Sequence, residues 1–260
     1  MILPDIPPDN NMFYIERFFH KNATMIYMEF LSHGKIRIRK VAVNNVKVFD
    51  SRLFTGLSET ELNGLMQATN PSNRKFKRGA TIWREGDVVD GVGVLESGTL
   101  FCQRYHTDGK VQLVRLFLPG DILNIEAAVS HRRTSPTNVI ATTTGNYIWF
   151  STAKLFKNPE VPEDTVRVLQ TNLLAYLADE AIRFIKKSDI LSRRTVRDRI
   201  TMYLNVLREQ YGNEFDTGMT QEELAQFLCV DRSSLSEELN KMRRDGLIDF
   251  NRKAFRLFFD

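Results

Sequence analysis

Residues 220–248 read TQEELAQFLCVDRSSLSEELNKMRRDGLI, and the fold is decided here. Thr220 followed three residues later by Glu223 is a capping box, so a helix starts at this point. Leu224, Ala225, Phe227 and Leu228 form its apolar side. Asp231 is placed to cap a second helix. Only Cys229 and Val230 lie between, so the joining turn is tight. Ala225 is small where the helices must cross closely, and Val230, Leu235 and Leu239 supply a shared core. This is the pattern of a helix-turn-helix, whose second helix enters the DNA major groove and offers its N-terminal residues to base edges. Leu247-Ile248-Asp249-Phe250, a polar Asn251-Arg252-Lys253 turn and Phe255-Arg256-Leu257-Phe258 predict a two-stranded wing behind it.

On the second helix Arg232, Ser233, Ser236 and Glu237 project away from the Leu235/Leu239 face. Arginine can pair with guanine, glutamate can accept from cytosine, and serine can serve either, so these four are the expected base readers. Thr220 and Gln221 at the start of the first helix, and Lys241 and Arg243 further along the second, suit phosphates. Each charge alone reads first as a solvated helix face, and the whole pattern has a helical hairpin in an ordinary bundle as its alternative. Cys229 stands where such a turn usually carries glycine. Glu238 stands where an apolar residue is common, and Leu239 beside it takes that role.

Upstream, Val196, Ile200, Tyr203, Leu204 and Leu207 keep helical spacing up to Gly212. Before them residues 162–188 predict one long helix, with Glu163 and Asp164 in its first turn, where they suit the helix dipole. It carries two apolar stripes: Val166, Leu169, Leu173 and Tyr176; and Leu174, Leu177, Ala181 and Phe184, with Leu191 if the helix continues. A helix apolar on two faces has two things to pack against. One expected partner is a β domain and the other a second copy of the helix, giving a homodimer; the alternative is burial within one monomer.

Residues 51–158 open on a capped helix, Ser58 to Glu61 with Leu62, Leu65 and Met66. Short strands follow, at Thr81-Ile82-Trp83, Val92-Gly93-Val94-Leu95, residues 100–105, 111–118, 139–142 and 147–150. Glu85-Gly86-Asp87, Ser97-Gly98, Asp108-Gly109, Pro119-Gly120-Asp121 and Gly145-Asn146 punctuate them. Turns at that density indicate an all-β sandwich or roll. Residues 1–50 have no consistent period. Phe13 to Phe19 is an apolar cluster, residues 35–48 alternate as a strand does, and no chemistry is visible. They read as a loosely attached extension or as the product of an unused upstream start, with Met25 and Met28 as later ones.

Composition sets the outer limits. Of 260 residues 42% are hydrophobic and 26% charged, a globular balance that excludes a disordered chain. No run approaches the roughly 20 apolar residues of a membrane span, and residues 1–11 lack a signal-peptide pattern. Two distant cysteines make no disulfide framework, four-cysteine zinc site or iron–sulfur cluster, so the expected compartment is the cytoplasm. Residues 186–260 hold 14 basic and 13 acidic side chains, a net of about +1. DNA binding there needs the charges sorted onto one face.

A glycine-punctuated β-roll, a long helix and a winged helix-turn-helix, in that order, resemble the CRP/FNR family of bacterial transcription regulators over about residues 52–260. Gly86, Gly98, Gly109 and the Pro119-Gly120-Asp121 turn carry the match. The resemblance implies an α+β chain: an antiparallel β-roll of the cyclic-nucleotide-binding type (a double-stranded β-helix), a dimerisation helix, and a DNA-binding domain reoriented by an effector. The expected domains are 51–158, 159–190 and 191–260, behind the 1–50 extension. By position, Arg232, Ser233 and Glu237 match the family's base-contacting residues. Glutamate at Glu237 reverses the usual charge, so the DNA sequence read differs from that of the best-known members.

The cyclic-AMP branch has Gly-Glu and Arg-Ser pairs where this chain, aligned without gaps, has Asn124-Ile125 and Ser135-Pro136. An anion without its cation in a partly desolvated site is prohibitively costly, so cyclic AMP is not the expected effector. A register shift onto Arg132 or Arg133, with Glu126 for the glutamate, is the alternative. The expected pocket is lined by Ile125, Glu126, Ser135, Pro136, Thr137, Tyr176 and Phe184, and suits a small organic effector or is filled by side chains. His20, His33, His106 and His131 lack a haem- or metal-ligand spacing, and no cofactor is expected. Cys102 reads as buried core.

Three functions compete. The first is a sequence-specific homodimeric regulator on double-stranded DNA with an inverted repeat, meeting RNA polymerase and no membrane. The second is a ligand-binding module acting on a partner protein, which has no use for a helix-turn-helix. The third, an enzyme, is rejected: no phosphate loop, H-E-x-x-H or G-x-S-x-G is present, and nothing in the sequence places acids and bases together.

Overall fold

The computed structural model describes residues 47–259 and, ahead of them, the backbone of three strands: β1 (Met12–Tyr14), β2 (Thr24–Leu31) and β3 (Lys35–Ala42). They pair antiparallel in the order β1-β2-β3, so the alternation expected over residues 35–48 is a strand as far as Ala42, while Val48 opens a short 3-10 helix. Residues 1–11, Phe19, His20 and His33 lie outside the described residues.

The roll opens with α1 (Glu59–Thr69), whose capping box is formed by Ser58 and Glu61. The strands β4 (Ser72–Phe76), β5 (Thr81–Trp83), β6 (Gly91–Ser97), β7 (Leu100–Tyr105), β8 (Val111–Phe117) and β9 (Ile122–Leu123) follow. After α2 (Ile125–Val129) come β10 (Asn138–Ala141), β11 (Gly145–Ser151) and α3 (Thr152–Phe156). Two four-stranded sheets, β5-β10-β7-β8 and β4-β11-β6-β9, share one core around Val94, Leu95, Leu100, Phe117, Val139 and Phe150. Gly98 and Gly109 turn the chain at φ +87° and +81°, a region costly for any residue with a Cβ. Gly145-Asn146, expected as a turn, begins β11, because glycine is needed there for packing: a Cβ on Gly145 would lie 2.1 Å from the Ser97 carbonyl oxygen. β4 escaped the sequence reading because four of its five residues are exposed and it has no apolar alternation.

The long helix α4 (Glu163–Leu191) starts on Pro162 and runs roughly 43 Å at 1.5 Å per residue. Leu169, Leu173 and Tyr176 are buried against the roll, and Glu180, Lys187 and Ile190 continue that face. Leu174, Ile182 and Ile185 stay 70%, 53% and 62% exposed. The second predicted stripe therefore divides. Leu174 and Ala181 face outward, but Leu177 is rotated toward the buried face and packs against the roll core.

The C-terminal part comprises α5 (Val196–Tyr211), β12 (Glu214–Asp216), α6 (Gln221–Leu228), α7 (Arg232–Arg244), β13 (Ile248–Asn251) and β14 (Ala254–Leu257). The wing sheet has three strands, β12-β14-β13, not the two expected; β12 is too short to show a period. Ile200, Tyr203, Leu204, Phe227, Leu235 and Leu239 form its core, and Phe101, Leu113, Leu116 and Leu118 of the roll join the same cluster. Among the described residues no helix is long and apolar enough to cross a membrane.

Candidate nucleic-acid interface

The two helices α6 and α7 are positioned by identifiable bonds. The Thr220 hydroxyl accepts from the Glu223 backbone N–H at 3.3 Å, and the Glu223 carboxylate accepts from the Thr220 N–H at 2.7 Å. Cys229 ends α6 in the left-handed region at φ +53°, the conformation for which glycine is usual. Arg199 Nη1 donates to the Leu228 and Cys229 carbonyls at 3.2 and 3.1 Å, supplying the end of α6 with a charged donor that fixes the turn. Asp231 occupies the N-cap of α7, but against expectation its side chain makes no capping bond. It lies 3.9 Å from the Lys110 ammonium at the β7–β8 turn, an exposed ion pair.

Arg232, Ser233 and Glu237 are exposed on α7, while Leu235 and Leu239 are fully buried on its other side. Ser236 is half-buried. The expected DNA readers are engaged with neighbours. Arg232 Nε lies 3.7 Å from Glu222, and Lys241 Nζ lies 2.8 Å from Glu237. The hydrogen bond between the last two holds the Glu237 carboxyl below its ordinary range and the Lys241 ammonium above its own. Of the expected phosphate contacts, Thr220 has its hydroxyl in the capping box and Gln221 is half-buried beside it. Arg243 braces the wing through Asp249 at 3.1 Å, the Phe250 carbonyl and the Phe250 ring, 3.9 Å away.

Glu238 has a reason to be polar. Arg197 of α5 donates to it from Nε at 2.5 Å and reaches Asp245 at 2.7 Å, so one guanidinium holds α7 at two points along its length. The sequence reading missed this pairing because the partners stand 41 residues apart and α5 shows no motif.

In the roll, Ile125, Ser135, Thr137 and Tyr176 are all buried, and Glu126 is half-buried. The polar groups bond one another. Asn124 Nδ2 donates to Ser135 Oγ at 3.4 Å, Ser135 Oγ to the Thr137 carbonyl at 2.8 Å, and Cys102 Sγ lies 3.0 Å from Thr137 Oγ1. Asn124 Oδ1 is a buried acceptor with no partner among the described residues. Burial pushes the Cys102 thiol up to about 11, which keeps it unreactive. Arg132, Arg133 and the Pro136 ring are exposed. Phe184 does not join this group: it is 48% exposed, on the flank of α4 that faces α5.

Beside Phe184 the fold assembles charges that the sequence scatters. Glu180 of α4 is ion-paired with Arg115 of β8 at 2.7 Å and also with Arg183. Arg115 donates to the Tyr176 hydroxyl at 2.5 Å. Strand β8 bulges at Val114, since Cys102 faces Arg115 while Gln103 faces Leu113. Lys187 donates to the Leu113 and Val114 carbonyls at this bulge, at 2.5 and 3.0 Å. Its ammonium lies 3.9 Å from the centre of the Phe227 ring on α6. Burial pushes Lys187 down to about 8.

Comparison with known proteins agrees with this architecture. Residues 73–157 match the cyclic nucleotide-binding domain family and residues 198–257 the Crp-like helix-turn-helix domain family. The chain is 30% identical over 185 residues to the transcriptional activator protein FnrL of Cereibacter sphaeroides, covering 67% of this chain and 71% of that one. The solved structure of the c-di-GMP responsive global regulator CLP of Xanthomonas campestris superposes with a TM-score of 0.63 at 17% identity, over 78% of this chain and all of that one. FixK2 of Bradyrhizobium japonicum gives a TM-score of 0.56 at 16% identity, over 73% and 93% of the two chains.

Proposed function

The chain belongs to the CRP/FNR family of DNA-binding transcription regulators, and from that premise we propose that it reads an inverted repeat as a homodimer under the control of a small effector other than cyclic AMP. The carrying observation is α7, which exposes Arg232, Ser233 and Glu237 at its leading end while Leu235 and Leu239 anchor it. Ion pairs with Glu222 and Lys241 keep two of these side chains extended over the helix surface, and DNA exchanges those partners for bases and phosphates. The exposed stripe Leu174, Ala178, Ala181 and Ile185 on α4 supports the dimer. A two-fold dimer presents two recognition helices about 34 Å apart, one helical turn of DNA, hence the repeat. We read RNA polymerase as the partner at the promoter and assign the chain no catalysis.

Selection from random DNA should return a palindrome. Arg232→Ala should then cost about 1–3 kcal/mol on that site and relax preference at one base pair per half-site. Lys241→Ala should weaken all sequences alike and lower the salt slope, because phosphate contacts carry no sequence information. Equal loss on specific and random DNA for Arg232→Ala would make Arg232 a phosphate contact and refute the placement of α7.

A further inference from the structure

The junction of β8, α4, α5 and α6 leaves a half-open cleft of about 80 Å³. Its walls are mostly apolar, from Phe184, Ile190, Val206 and Leu207. Four cations reach it: Arg115, Arg183, Lys186 and Lys187. The first two share Glu180, and Lys186 lies 4.0 Å from Glu209 outside the cleft. Asp121 also lines the cleft, with its carboxylate accepting from the Leu118 N–H at 2.7 Å.

Lys187 is different. It is 9% exposed, and among the described residues its partners are two carbonyls and an aromatic ring, with no carboxylate in ion-pairing distance. Two of its three N–H donors serve the carbonyls, which leaves one. A buried ammonium without a counter-charge is costly, and an anion delivered beside it recovers that cost.

We propose that this cleft binds a small organic anion, a single carboxylate on an apolar body, with the carboxylate against Lys187 and the body between Phe184, Ile190 and Val206. This site is separate from the roll interior, where Asn124, Ser135 and Thr137 form a hydrogen-bonded chain that leaves Asn124 Oδ1 without a partner among the described residues. It joins the three parts of the chain, because Lys187 stands on α4, holds the β8 bulge and touches Phe227 of α6. An anion that draws the ammonium away loosens the docking of the helix-turn-helix on the roll.

The test is titration of the full chain, without DNA, with benzoate and its neutral isostere benzamide, followed by calorimetry. Benzoate should bind saturably below about 10 mM and at least about tenfold tighter than benzamide. Lys187→Met should abolish that preference. Phe184→Ala, at a half-exposed position the fold tolerates, should weaken benzoate severalfold while circular dichroism stays unchanged. Lys154→Met, an exposed lysine on α3, should have no effect. Absence of saturable binding, equal binding of both probes, or wild-type binding by Lys187→Met would overturn the proposal. Since no DNA is present, none of these outcomes bears on the regulator reading, which fails only if the protein selects no DNA sequence.

Discussion

Leu174→Glu should dissociate the dimer while leaving each protomer folded. Leu174 is 70% exposed in the isolated chain, so about seven-tenths of its burial energy is still available to a partner. Full burial of a leucine is worth roughly 1.5–3 kcal/mol, so about 1–2 kcal/mol per chain remains. The symmetric contact contains the residue twice, which makes roughly 2–4 kcal/mol per dimer, or about 30- to 700-fold in dissociation constant. Two carboxylates brought to the interface add to this. Sedimentation equilibrium measures the constant, and circular dichroism checks the fold. Leu173→Glu is the control, because Leu173 is 5% exposed in the roll core and its replacement should unfold the chain, not merely separate protomers. A wild type that is monomeric at micromolar concentration, or a Leu174→Glu variant that dimerises as tightly as wild type, would refute the reasoning.

Calorimetry with cyclic AMP should show no binding, since the positions of the phosphate clamp hold buried Ser135 and exposed Pro136; micromolar affinity would mean that Arg132 or Arg133 turns inward. Lys187 predicts a pH effect. Its ammonium is lowered from 10.5 to about 8, so between those values the unfolded chain binds more protons than the folded one and stability rises with pH. In urea titrations wild type should gain on Lys187→Met by up to about 3 kcal/mol from pH 8 to 10.5, and a constant difference would show that Lys187 is not buried as described. Gly145→Ala should cost roughly 1–3 kcal/mol, read as a lowered denaturation midpoint, because its Cβ would meet backbone 2.1 Å away; an unchanged midpoint would show that β11 and the Ser97 turn separate freely.

The helix-turn-helix and the long helix were legible because their signals are local. Thr220 and Glu223 bond across one turn, the apolar positions repeat at helical spacing, and both features depend only on neighbouring residues. The roll's turns were legible through Gly98 and Gly109, whose positive φ is a property of the residue itself. Strand β4 was not, since strand identity there comes from its partner β11 and not from its own exposed side chains. Nor was the Asp231 side chain, which fits the local capping rule yet makes no capping bond and lies instead beside Lys110, 121 positions away.

Sequence by itself thus determined the order of the three parts, β-roll, long helix and helix-turn-helix, and predicted, from Ser135 and Pro136, a roll without the phosphate clamp. Only the tertiary structure decided which stripe of α4 faces outward, why Glu238 is tolerated, and that Arg115, Glu180, Arg183 and Lys187 meet in one cleft. The physical reason is range. Caps, periodicity and glycine conformations act within a few residues. Ion pairs and burial depend on distance in space, and contacts between β8 and α4 span more than sixty positions of chain.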